Sequence, residues 1–156
     1  MDAGANNLSE KTIDWLQGLI EINLDSSKGF AEAADNLEKD DRGIEAMFRN
    51  LSRERAAQAQ ELQAMVAANR EKPTKSGSVA AAAHRTWMDL RAALGGGSEA
   101  VLSEAERGED HIKAKYEDAL KDLAGCSCTQ VLERHYAAVK ASHDKVRDLR
   151  DARVRA

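Results

Sequence analysis

The sequence has one proline, two cysteines and few aromatic residues, 4% of 156. A chain with a single proline lacks the turn punctuation of an all-β sandwich and leaves its helices free to run. The two cysteines, Cys126 and Cys128, flank Ser127. They are too few for a disulfide framework and too close for zinc-ribbon spacing, and they read as free thiols in a loop and at a helix start. No stretch approaches the about 18 consecutive apolar residues of a membrane span, and MDAGANNLSEK lacks the basic start and apolar core of a signal peptide. A soluble, cytoplasmic protein without a membrane partner is expected. Charge of one sign is missing too: 23 Lys and Arg stand against 27 Asp and Glu, a net charge of -4. That balance gives no basic footprint for a polyanion and excludes nucleic acid as the main partner. Gly95, Gly96 and Gly97 follow a helical stretch rather than a strand, so neither a phosphate loop nor a nucleophile elbow is present. What remains is a chain 42% hydrophobic and 32% charged, a globular composition favouring one all-α domain.

Punctuation divides the chain into helices. Residues 1–8 read as a flexible N-terminus and 9–155 as the domain. Ser9 caps a first helix over 9–38, with Leu8 stapled to Ile13 and a stripe of Ile13, Leu16, Ile20, Leu24, Phe30, Ala34 and Leu37. A turn at Lys39-Asp40-Asp41 opens a second helix over 42–70, striped by Ile44, Met47, Leu51, Leu62, Met65 and Asn69. Pro73 stops it. A shorter helix over 78–94 ends at the three glycines, Ser98 caps a helix over 98–124, and the capping box at Ser127 to Gln130 starts the last, over 128–154. Two tight hairpins separated by about 27 residues fit a four-helix bundle with one long crossover, the ferritin-like connectivity, the 78–94 helix covering most of the crossing.

Each apolar stripe is interrupted near its middle. Asn23 and Ser27 break the first, Glu54, Arg55 and Gln58 the second, Gly108 and Glu109 the third, and Ser142, with His143 at the edge, the last. Counted from the hairpin turns, all lie about 13 to 18 residues along their helices, which puts them level in one buried polar layer. Burying charge is costly unless it is paired or metal-bound, so the layer has two readings. In one, Glu54, Glu109 and His143 bind iron or manganese for oxygen or peroxide chemistry, with Glu106 and Asp25 as further candidates. Asp25, like Glu21, turns inward only if its helix is over- or underwound near Gly29, and Glu106 with Asp110 lies off the stripe, where Arg85 of the crossover helix is available. In the other, Arg55 forms charge-assisted bonds to Glu109, the partner carboxylate of Glu54, while Asn23, Ser27, Gln58 and Ser142 complete a metal-free network. The second is favoured. Di-metal bundles draw Glu-x-x-His pairs from two helices, and none exists here, since Ala81, Gly108, Leu132 and Lys140 stand three before the four histidines. An inward arginine would also repel a dication. Of the remaining polar groups, His135 reads as a hydrogen-bonded core imidazole and His111 as a solvated helix residue. His84, Arg85 and Trp87 read as the anchor of the crossover helix.

The segments His84-Arg85-Thr86-Trp87, Glu104-Ala105-Glu106-Arg107-Gly108-Glu109-Asp110 and His143-Asp144-Lys145-Val146-Arg147-Asp148-Leu149-Arg150-Asp151 resemble the signature stretches of a proteobacterial family. It is a four-helix-bundle family of unknown function assigned to the ferritin-like superfamily. The resemblance covers about Leu8 to Asp151 and implies the ferritin-like fold; it brings no established activity. A non-enzymatic structural, interaction or stress-related role follows as the first expectation, with the metal centre as the alternative. Alanine-rich helix surfaces would also suit a homodimer.

Overall fold

The structure is a computed structural model, which describes residues 7–37, 42–75 and 97–154. These form four α-helices: α1 Glu10–Asn36, α2 Arg42–Ala68, α3 Ser98–Asp122 and α4 Thr129–Val154. Helices α1 and α2 pack as one pair, α3 and α4 as another, and α1 also contacts α3. The expected crossover helix over 78–94, with His84, Arg85 and Trp87, lies outside the described residues.

Local chemistry sets the helix ends. Ser9 Oγ accepts from Thr12 N at 3.1 Å, which satisfies one of the first-turn amides of α1, and Leu8 packs on the cluster that contains Ile13. At the start of α3 the cap position belongs to Gly97, not to Ser98, which is already helical. Gly97 has φ +90 and Gly125, in the α3–α4 turn, φ +83, a region where glycine has no steric penalty. The segment after α2 is tied back to α1: Gln17 Nε2 donates to Lys72 O, and Gln17 Oε1 accepts from Thr74 N, both at 2.8 Å.

The expectation of free thiols is corrected. Cys126 and Cys128 form a disulfide across Ser127, their Cα atoms 5.2 Å apart, a separation within bridging range. The α2 stripe is corrected as well. Met47 and Met65 are half-buried flankers, and Phe48, Ala59 and Val66 take the inward places. From Ile44 and from Leu62 the next inward position is either three or four residues on, and the bundle takes four in both places, Phe48 and Val66.

The apolar interior is divided in two. One cluster joins Leu16, Leu19, Ile20, Leu62, Ile112, Tyr116 and Leu132 toward the α3–α4 turn. The other joins Phe30, Ile44, Phe48, Leu51, Val101, Leu102 and Val146 toward the α1–α2 turn, where the rings of Phe30 and Phe48 meet at 5.1 Å. Between them in sequence, on every helix, stand buried polar residues: Asn23, Arg55 with Gln58, Glu109, and Ser142 with His143.

Candidate functional site

Arg55 dominates the middle of the bundle. Its side chain is wholly buried, 0% exposed, and its Nη2 donates to Oε2 of Glu109, equally buried, at 2.5 Å. Nη1 turns the other way, to Glu54 Oε1 at 3.2 Å and Gln58 Oε1 at 3.4 Å. One guanidinium thus binds two carboxylates and an amide by charge-assisted bonds, a use that suits the fixed fork of arginine. Two atoms are left without hydrogen-bond partners, Arg55 Nε and Glu109 Oε1. Burial pushes the Glu109 carboxyl above its ordinary range, and the Arg55 charge opposes that shift.

A second network runs from the interior to the surface. Asn23 Nδ2 donates to Tyr116 Oη at 2.8 Å and to Leu19 O at 2.8 Å. With its oxygen accepting from Asn23, the phenol gives its own proton to His135 Nδ1 at 3.0 Å. That bond assigns the remaining hydrogen to Nε2, which lies 3.4 Å from Glu61 Oε1. Glu61 in turn holds the exposed Arg134, whose Nη1 lies 3.1 Å from Glu61 Oε2. Burial lowers the His135 pKa and raises that of Tyr116 well above the ordinary phenol value, while the Arg134 hydrogen bond lowers that of Glu61. The imidazole is therefore kept neutral between a phenol and a carboxylate.

The single polar layer expected from helix heights is in fact several separate contacts. Arg55, Glu54, Gln58 and Glu109 form one group. Ser27 instead exchanges bonds with Ser52: Ser27 Oγ donates to Ser52 O at 2.8 Å and Ser52 Oγ to Ser27 O at 2.7 Å, clamping α1 to α2. Ser142 bonds back to Ala138 O of its own helix at 3.0 Å. His143 turns outward, its Nε2 2.7 Å from Asp110 Oδ1 and 3.6 Å from Glu106 Oε1. Asp25 is half-buried on α1. His111 is half-buried, and burial lowers its pKa, so it is less solvated than its sequence context implied.

The expected metal set of Glu54, Glu109 and His143 is therefore not assembled among the described residues. Asp110, read with Glu106 as lying off the stripe toward the crossover helix, meets His143. The i, i+4 spacing of Glu106 and Asp110 beside an α4 histidine at the same height is the signal that points to it.

This architecture places the chain in a known fold class. Among solved structures, a Mycobacterium smegmatis Dps1 mutant superposes with a TM-score of 0.71 at 14% sequence identity, covering 90% of this chain and 98% of that one. At that identity the likeness shows the fold, a ferritin-like four-helix bundle. The family described as Domain of unknown function (DUF2383) matches residues 11–122, and the chain belongs to that family. No curated protein matches it. Among the described residues no helix is long and apolar enough to cross a membrane.

The fold class raises the question of an iron centre, and the central donor set does not fit one. Glu109 Oε2 and Glu54 Oε1 both engage the Arg55 guanidinium, a permanent cation in the position a metal would need. A second positive charge a few ångströms away would be repelled in a poorly screened interior.

Proposed function

We propose that this bundle is a non-enzymatic structural or interaction module of the cytoplasm, its middle fixed by an internal ion pair rather than by a metal. The observation that carries this reading is the Arg55–Glu109 pair, both side chains 0% exposed. Replacing a buried pair by apolar residues is often neutral or stabilising, so such a pair is a weak source of net stability. Its value lies in specificity, because a wrong register would leave a guanidinium or a carboxylate unpartnered in the interior, and that penalty selects one alignment of α2 against α3. A fixed alignment suits a protein that works by presenting surfaces, including to a second copy of itself.

Mixing purified protein with ferrous iron and oxygen tests the reading. Iron oxidation no faster than in buffer is expected, with scattering measurements reporting a defined monomer or dimer. Catalysed oxidation that disappears in both Glu54→Ala and Glu109→Ala would overturn it in favour of an iron or manganese centre with oxygen or peroxide chemistry.

A further inference from the structure

We infer that the outer face of the α3–α4 pair is a divalent transition-metal site built from Glu106, Asp110 and His143, separate from the bundle centre. Glu106 and Asp110 are four residues apart on α3 and so neighbour each other on one face, and His143 reaches them from α4. One ligand atom of each residue lies within 4.8 Å of the others. Ligands bound at about 2.0–2.2 Å from a common ion stand roughly 3–4 Å apart, so small side-chain rotations would complete the set. The burial is graded in a useful way. The side chains of His143 and Glu106 are 11% and 13% exposed and held by packing, whereas Asp110 is 60% exposed and leaves the ion a path from solvent.

The surroundings orient the ligands. Both ring nitrogens of His143 face carboxylates, Nδ1 at 3.1 Å from Asp144 Oδ1 and Nε2 at 2.7 Å from Asp110 Oδ1. In the tautomer that donates Nδ1–H to Asp144, Nε2 presents its lone pair toward Asp110 and Glu106. This is the carboxylate–histidine–metal arrangement that fixes tautomer and ring angle around bound cations. Arg150 holds Glu106 by Oε2, leaving Oε1 as the oxygen nearer His143. The imidazole nitrogen and the two carboxylate oxygens converge on a point that favours positive charge. A proton shared by Nε2 and Asp110 is one solution, and a dication replacing that proton is the other. One imidazole with two carboxylates suits manganese, ferrous iron or zinc better than magnesium or calcium, which take oxygen-only shells.

Calorimetric titration of the untagged, oxidised full chain with Zn2+ and Mn2+, with Mg2+ as control, tests the site. We expect one transition-metal ion per chain, a rise in Tm on binding, and affinity at least about tenfold weaker in His143→Ala and in Asp110→Asn. Glu54→Ala is expected to bind as the parent does. Asp110→Asn alters an exposed group, so its loss of binding cannot be ascribed to unfolding, and its circular dichroism checks that. Absence of saturable binding, or undiminished affinity in Asp110→Asn, would overturn the site. Loss of binding in Glu54→Ala would overturn it too, and would move the ion to the bundle centre.

Discussion

Glu106, Glu109 and Asp110 belong to little more than one turn of α3, yet they have different partners. Glu109 points into the bundle, is fully buried, and meets the guanidinium of Arg55. Glu106 and Asp110 flank it on the side facing α4 and meet His143 at a partly solvated edge. The chemistry on α3 is the same, a row of carboxylates, and depth alone separates the outcomes. Inside, a carboxylate deprived of water requires a permanent counter-charge supplied by the chain, and arginine, which does not lose its proton, supplies it. At the edge, water can screen the carboxylates, so their positive partner is free to exchange. The inner pair fixes the fold; the outer trio is the part able to respond to what is dissolved around it.

The largest effect expected from breaking this contrast is at the centre. Arg55→Met should cost about 3–5 kcal/mol, because it leaves Glu109 buried without its partner. The double variant Arg55→Met with Glu109→Leu should recover most of that loss, since the uncompensated charge is gone. Urea unfolding of the two single variants and the double variant measures the coupling directly. The pH dependence has a definite sign. Burial raises the Glu109 pKa above its ordinary 4.5, so the folded state holds the proton more readily than the unfolded state does. This contribution to stability is present below pH 4.5 and is lost as pH rises through the folded value. Without Arg55 the shift should grow, and the penalty in Arg55→Met should shrink as pH falls toward the carboxylate range. A neutral Arg55→Met would mean that the guanidinium does not carry the charge of Glu109.

How much of this could be read from residue order depended on depth. Arg55 and Glu109 are legible because both interrupt apolar stripes and both lie about the same number of residues from a turn, so height and direction follow from helix geometry. Asn23 was legible as inward, but its partner Tyr116, and His135 beyond it, were not, because a stripe gives direction without naming which polar tips touch. Ser27 and Ser142 were read as members of one layer. Serine hydroxyls are short and satisfy themselves on the nearest backbone carbonyl, here Ser52 O and Ala138 O, before they reach a side chain across the bundle. His143 was legible at the edge of its stripe, but its partners were not, since the α3–α4 contact is what places Glu106 and Asp110 against it. Flank positions are fixed by the neighbouring helix, which an ideal single-helix projection leaves out.

The Tyr116 network should give a smaller effect than the ion pair, because its members are neutral. Tyr116→Phe removes the oxygen that joins Asn23 to His135 and leaves buried polar atoms unsatisfied on both sides, at a cost of about 1–3 kcal/mol in denaturant unfolding. Its pH signature is opposite to that of Glu109. Burial lowers the His135 pKa below the ordinary 6.5, so the unfolded chain takes up the proton first. The stability from neutral burial is present above pH 6.5 and is lost as pH falls toward the folded value, with a slope of at most about 1.4 kcal/mol per pH unit. Replacing the ring in His135→Gln should flatten that limb of the stability profile. A limb that persists in this variant would assign it to another group.

The smallest change in stability is expected at the outer trio, where the largest change in response is also expected. Asp110 is 60% exposed, and exposed ion pairs contribute at most about 1 kcal/mol, so Asp110→Asn should shift metal-free unfolding by only about 0.5 kcal/mol. In the parent, one bound dication should raise Tm with the logarithm of its concentration over Kd once that ratio exceeds one, because it binds the folded state and finds no preformed set of ligands in the unfolded one. In Asp110→Asn that rise should largely disappear. Arg55→Met should show the reverse pattern, a large loss of metal-free stability with the Tm increment from zinc retained. If the two variants respond alike, the centre and edge of α3 form one electrostatic unit, and the division by depth fails. If they respond oppositely, two functions occupy one turn of helix without interfering, because the guanidinium neutralises the inner carboxylate where it would otherwise compete for the ion.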